Sequence, residues 1–230
     1  MLPNGFEALV RWRHADRGTI GPDQFIPMAE ASGRIDRLTE AVTTRAMSQT
    51  RQWHDQGMEV TVAINLSALS LDEEDLADRI QAICRATGAR QDAITFEVTE
   101  TAAMANPLHG LDILTRLRIK GFKLSIDDFG TGYSSLVQLH RLPFSELKID
   151  RSFVAECDRS SEARMIVKTM VDLGHNLDMT VVGEGVESEA VARILTDMGC
   201  DSGQGYAIAR PMEAEQVPYW LAHWDGRCVQ

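Results

Sequence analysis

The sequence predicts a parallel α/β barrel, and three observations predict it. Short runs rich in β-branched residues alternate with longer stretches of helical period. No low-complexity segment or long linker breaks the alternation, and nearly every strand-like run carries a polar residue within it or at its end. The first two specify strand–helix units and therefore a parallel sheet. The third favours a closed barrel, in which reactive groups come from the ends of many strands, over an open doubly wound sheet, which gathers them at one crevice.

Taken in order, the expected strands are Gly5–Trp12, Val60–Ser67, Ile94–Thr101, Lys123–Phe129, Leu147–Phe153, Thr180–Val186 and Gly203–Ile208, seven in all. The helices expected between them are Pro22–Ala31, Ile35–Asp55, Glu73–Ala86, Pro107–Lys120, Glu162–Asn176 and Glu189–Met198, with Glu213–Trp224 last. Asp72, Asn106, Ser161 and Ser188 stand where N-caps belong, each offering a short side-chain acceptor to the first free backbone amides. The alternation runs unbroken over residues 1–230 and reads as one domain.

Composition narrows the partners. A formal net charge of -11 opposes a broad footprint on a nucleic-acid polymer, so a phosphate substrate needs metal ions or a local cluster of basic side chains. The four cysteines are scattered and form no CxxC pair, which argues against a thiolate metal site or a disulfide scaffold and fits a reducing cytoplasm. No apolar run approaches the ~18 residues of a membrane helix, and nothing reads as a signal peptide.

Glu7, Asn65, Glu97, Asp127, Asp128, Lys148, Asp150, Glu184 and Gln204 lie within or at the end of otherwise apolar strands. An ionised group left unpaired there costs on the order of several kcal/mol, so something must compensate them. Strand period groups Glu7 with Leu9, Asn65 with Ser67, Ser125 with Asp127, and Lys148 with Asp150 on one face, leaving Ala8, Ile64, Ile126 and Ile149 on the other. Adjacent Asp127 and Asp128 point to opposite sides of a regular strand; if both serve one site, the backbone must bulge, and the glycine-rich FGTG that follows allows it. Carboxylates and a carboxamide without histidine or cysteine make a hard oxygen site suited to Mg²⁺ or Mn²⁺, and two ions sharing Asp127 balance the charge best. Such a pair, roughly 3.5–4 Å apart, clamps a phosphodiester and lowers the pKa of a bridging water.

The remaining features carry little chemistry. The six histidines show no metal-binding spacing and suit surface or cap roles. Gly130–Gly132 lacks the spacing of a nucleotide triphosphate loop. The four tryptophans fit packing better than stacking on a base.

Around these residues Glu7-Ala8-Leu9 stands in EALVRW, followed in order by INLS (Ile64–Ser67), FEVTE (Phe96–Glu100), SIDDFGTGYSSL (Ser125–Leu136), LKIDRSFV (Leu147–Val154), GEGVE (Gly183–Glu187) and GQGY (Gly203–Tyr206). In this order the motifs resemble the EAL family of cyclic di-GMP phosphodiesterases. The resemblance covers nearly the whole chain. It implies a (β/α)8-type, TIM-like barrel whose first strand precedes the EAL tripeptide and is missing from these residues, so that the EAL strand becomes an edge. It further implies one ion held by Glu7, Asn65, Glu97 and Asp127, and a second by Asp127, Asp128 and Glu184. Lys148 would position the attacking water, Glu184 and Glu100 would act beside it, Glu100 by bracing the loop 128–135, and Leu9, Arg11, Asp150 and Gln204 would meet the dinucleotide. The implied reaction opens cyclic di-GMP to linear pGpG with two Mg²⁺ or Mn²⁺ ions, in a cytoplasmic homodimer fused to or partnered with a sensory or regulatory domain. The alternative within the family is a catalytically impaired receptor for cyclic di-GMP.

Overall fold

A computed structural model describes residues 3–132 and 136–226, the side chains of residues 107 and 108 excepted. In chain order its elements begin with β1 (Gly5–Glu7), β2 (Trp12–His14), β3 (Gly18–Ile20), α1 (Pro22–Ala31), α2 (Ile35–Asp55), β4 (Thr61–Asn65) and α3 (Leu76–Thr87). There follow β5 (Ile94–Thr99), α4 (Glu100–Ala105), α5 (Pro107–Ile119), β6 (Lys123–Phe129), α6 (Leu136–Leu139), β7 (Glu146–Ile149) and α7 (Arg151–Val154). The last are α8 (Ser161–Asn176), β8 (Thr180–Glu184), α9 (Glu189–Asp197), β9 (Ser202–Gln204) and α10 (Val217–Ala222). The chain divides into two compact units, residues 4–97 with 108–123, and residues 98–107 with 124 onward.

In the first unit β1, β4 and β5 run parallel, with Glu7 opposite Ala63 and Asn65 opposite Glu97. β4 alternates as a half-covered strand should: Val62 and Ile64 are buried, while Asn65 at its end is exposed. α2 buries one face made of Ile35, Thr39, Thr43, Ala46, Met47, Thr50 and Trp53, and Phe6 of β1 packs on Trp53 with ring centroids 5.5 Å apart. Each fully buried large side chain of this kind contributes about 1.5–3 kcal/mol. Among the described residues β1 pairs only with β4, in line with its expected edge position.

In the second unit β6, β7, β8 and β9 run parallel in that order. Ile126, Leu147, Ile149 and Val181 are fully buried, and α8, whose buried face is Ala163, Val167, Val171 and Gly174, packs on β7 and β8. Gly174 sets how closely helix and strand approach, because a Cβ there would sit 2.4 Å from Val181 Cγ2.

The structure shortens several expected strands. The first ends at Glu7: Ala8 N makes the last bond to Ala63 O, and Trp12–His14 instead pairs antiparallel with Gly18–Ile20. The third stops at Thr99, whose hydroxyl caps α4 by accepting from Ala102 N. The fifth stops at Ile149, where Asp150 caps α7, and the last keeps only Ser202–Gln204. The N-caps shift likewise. Asp75, not Asp72, precedes α3, and Ser160 rather than Ser161 caps α8, whereas Asn106, which closes α4, directly precedes α5 and Ser188 caps α9 as expected. The closing helix resolves into a short 3-10 turn, Ala214–Gln216, before α10.

Candidate active site

In the first unit, Asn65 Nδ2 donates to Glu7 Oε1 at 2.7 Å. Both groups project from the C-terminal ends of neighbouring parallel strands, and Glu97 faces Asn65 in register from β5 while only 2% exposed. A carboxylate so deeply placed is held there by the hydrophobic strand it belongs to, with Phe96 and Val98 on either side buried. Leu66 N donates to Glu97 O at 2.9 Å, so the chain stays in register one residue beyond β4.

In the second unit, β6 carries Asp127 and Asp128. The register against β7 slips between Ile126 and Phe129, and Asp128 takes a left-handed φ of 53°, an unfavourable backbone for a residue with a Cβ. This is the bulge expected from two adjacent acids serving one place. It brings carboxylate oxygens of Asp127, Asp128 and Glu184 within 4.8 Å of one another. Lys148, 2% exposed, lies against them with Nζ 2.6 Å from Glu184 Oε1 and 3.3 Å from Asp127 Oδ1. Burial pushes the Asp128 carboxyl up from its ordinary value, and the negative charges of Asp127 and Asp150 push it the same way.

The loop after β6 is tied by Glu100, whose Oε2 accepts from Gly130 N at 2.8 Å and Gly132 N at 3.2 Å. Gly130 is required by space as well as by its φ of +102°, since a Cβ would lie 2.4 Å from Met170 Cε and 2.8 Å from Phe153. The bracing of this loop by Glu100 is thus seen for Gly130 and Gly132; Tyr133, Ser134 and Ser135 lie outside the described residues.

The remaining expected site residues are less gathered. Leu9 is 43% exposed after the end of β1, and Arg11 is exposed with Nη1 donating to Val10 O at 2.8 Å. Asp150 Oδ1 accepts from Ser152 N at 3.0 Å, a helix-cap role. Gln204 is paired in register with Glu184 at the strand ends. The histidines take local roles: His54 bonds Val60 O at 2.8 Å and His109 bonds Asp72 O at 3.0 Å. Two features escaped the sequence reading. Ser125 is fully buried in β6 with no hydrogen-bond partner for its hydroxyl among the described residues, and Ser67 Oγ donates to Glu30 Oε1 at 2.6 Å.

The donor set fits a hard divalent cation. All donors are oxygens, Asp127 Oδ1 is buried and accepts no hydrogen bond among the described residues, its contact being the ion pair with Lys148, and three carboxylates face one lysine. A sequence profile described as the EAL domain matches residues 3–211. The chain belongs to the EAL domain family. This EAL domain is 45% identical over 222 residues to the bifunctional diguanylate cyclase/cyclic di-GMP phosphodiesterase MucR of Pseudomonas aeruginosa, covering 94% of the chain and 32% of the relative. It is 42% identical over 216 residues to the cyclic di-GMP phosphodiesterase NbdA of the same organism, covering 94% and 28%. The chain therefore spans about a third of the length of these relatives. The solved structure of the PaMucR phosphodiesterase in complex with c-di-GMP superposes with a TM-score of 0.89 at 45% identity, covering 93% of this chain and 87% of that one. That of the EAL domain of Mycobacterium smegmatis DcpA gives 0.77 at 31% identity, covering 84% and 86%. The fold class expected from the sequence, the TIM-like α/β fold of the EAL family, is the one these structures share with the chain. Among the described residues no helix is long and apolar enough to cross a membrane.

Proposed function

We propose that this EAL domain hydrolyses one 3′–5′ phosphodiester bond of cyclic di-GMP to give linear pGpG. The observation that carries the reading is the cluster of Asp127, Asp128 and Glu184 closed by the buried Lys148. The ligands are proposed residue by residue: Glu7, Asn65, Glu97 and Asp127 toward one ion, and Asp127, Asp128 and Glu184 toward a second. Two Mg²⁺ or Mn²⁺ ions would supply Lewis acidity, a water of lowered pKa and a clamp on the phosphodiester oxygens.

The chain's own groups do the rest. The Lys148 ammonium, buried beside two acids, orients the attacking water toward phosphorus. Glu184 fixes that ammonium, and Glu100 holds the loop at Gly130 and Gly132 against the same strand end. Leu9, Arg11, Asp150 and Gln204 grip the dinucleotide. Water adds to phosphorus as the bond to the 3′ oxygen breaks; one of the water's protons passes to the departing oxygen, which leaves as a 3′ hydroxyl, and the other stays on the new phosphate or goes to solvent. The domain is further proposed to work in the cytoplasm as a homodimer within a longer regulatory protein, which relatives three times its length support. Incubation with cyclic di-GMP and Mg²⁺ yields pGpG; no turnover with either Mg²⁺ or Mn²⁺ refutes the reading. Nucleotide binding without product would instead mark a receptor.

A further inference from the structure

We propose that Glu30, outside the EAL motifs, is a positioning residue for the Glu7–Asn65 group through its hydrogen bond to Ser67. The proposal rests on the reading of Asn65 and Glu97 as metal ligands.

Glu30 sits in the last turn of α1, where the helix has no basic residue and the partial negative charge of its C-terminus disfavours a carboxylate. Helix stability therefore does not account for an acid here, and the compensation comes from outside the helix. Its Oε1 accepts from Ser67 Oγ at 2.6 Å, a short, charge-assisted bond. The same hydroxyl accepts from Leu69 N at 3.2 Å and so caps the 3-10 turn Ala68–Asp72 that follows β4. One hydroxyl thus uses its proton on α1 and its lone pair on the turn, and both sides must be present for it to be fixed.

What Ser67 fixes is the exit of β4. Asn65 lies two residues before it, with its amide turned to Glu7 at 2.7 Å, and Leu66 N between them holds Glu97 O at 2.9 Å. A shift of the turn moves Asn65 directly and disturbs Glu97 through that bond. Thr39 and Ser70, hydroxyl to hydroxyl at 3.3 Å and both buried, anchor the far end of the same turn to α2. Glu30 is the charged member of this support and the one that acts closest to the ligands. Partners of this kind typically change metal affinity by about tenfold or more when removed.

The test compares wild type with Glu30→Ala, Glu30→Gln, Ser67→Ala and the double Glu30→Ala/Ser67→Ala variant, with Glu7→Ala as reference. Mn²⁺ affinity is read by electron paramagnetic resonance without nucleotide, and hydrogen exchange of the 66–70 amides is read on metal-free protein. Glu30→Ala and Ser67→Ala are each expected to weaken Mn²⁺ about tenfold, the double variant no more than either, while Glu30→Gln, which keeps the acceptor, stays near wild type. Exchange at Leu66 and Leu69 quickens in Glu30→Ala and not in Glu30→Gln. Unchanged exchange, or additive losses in the double variant, overturns the positioning role whatever the metal does. Quickened exchange with Mn²⁺ affinity indifferent to both Glu30 and Glu7 overturns the proposal through its premise, the ligand reading.

Discussion

Replacing Lys148 with methionine tests whether the lysine is held by the acids or they by it. Its ammonium lies 2.6 Å from Glu184 Oε1 and 3.3 Å from Asp127 Oδ1, and the three side chains are only 2%, 17% and 13% exposed. At an effective dielectric constant of about 20 the two attractions amount to about 6 and about 5 kcal/mol. Desolvation of the three charges takes back most of this, and loss of one member of a buried pair costs about 3–5 kcal/mol because the partners remain buried without it. For a chain of 230 residues that is a fall in thermal midpoint on the order of 10 °C. Lys148→Met and wild type are unfolded thermally in a chelating buffer and again with millimolar Mn²⁺. The variant loses about 10 °C without metal and recovers more of it than wild type gains with Mn²⁺, since a bound cation restores the missing positive charge. With its stability restored, it still fails to turn over cyclic di-GMP. An unfolding midpoint equal to wild type in the chelating buffer refutes the electrostatic reasoning, and turnover within tenfold of wild type refutes the assignment of Lys148 to the reaction.

Three further outcomes follow from single contacts. Glu100→Ala leaves the Gly130 and Gly132 amides without their acceptor, about 1–3 kcal/mol for each donor left buried, and hydrogen exchange of both amides should quicken; protection equal to wild type argues that the loop is held otherwise. Gly205→Ala places a Cβ 2.3 Å from the Val186 backbone N and O, atoms that cannot rotate aside. It should cost about 3 kcal/mol, measured as a lower urea midpoint. Asp78 is held below its ordinary pKa of 3.8 by its hydrogen bond to Lys120, with Arg116 adding to it. A depressed carboxyl contributes stability that is present above 3.8 and lost as pH falls through the folded-state value. Asp78→Asn is therefore less stable than wild type at neutral pH, and the thermal midpoints of the two converge on acidification; a constant gap would refute it.

The bulge at Asp127 and Asp128 was legible because two adjacent acids and a following FGTG leave a regular strand no way to serve one site. The buried Lys148 and Glu97 were legible for a related reason: an ionised residue inside an apolar run demands compensation. The hairpin of β2 and β3 was not read. EALVRW carries Leu, Val and Trp with no Gly or Pro to break a strand, and the chain leaves the sheet at Ala8 for want of further pairing with β4, a tertiary fact. The available signal was Gly18, which takes a φ of +67° at the hairpin turn. α4 was missed because Thr99 looks like one more strand residue until its hydroxyl is seen capping Ala102 N. Asp150 shows the opposite ambiguity: the resemblance marks it for substrate, and in the fold its carboxylate fills a capping role. Glu30 had no legible role at all, since only the fold brings α1 to the exit of β4.

The strained backbone of Asp128 is best understood from charge. Asp127 and Glu184 against one lysine leave a single negative charge, which a monovalent cation or a second lysine would satisfy. Adding Asp128 makes the surplus two, the charge of a divalent ion. In a regular strand Asp128 would share the Ile126 face and point away from Asp127; here the extra residue returns Phe129 to the buried face opposite Ile149 and draws the Asp127 and Asp128 carboxylates together. The fold instead sustains a left-handed φ at a residue with a Cβ, on the order of 1–2 kcal/mol, together with a carboxyl whose ionisation burial opposes. On the proposed reading both costs fall on the metal-free state and a bound dication would offset them, which is the arrangement expected of a site shaped for its loaded form rather than for stability.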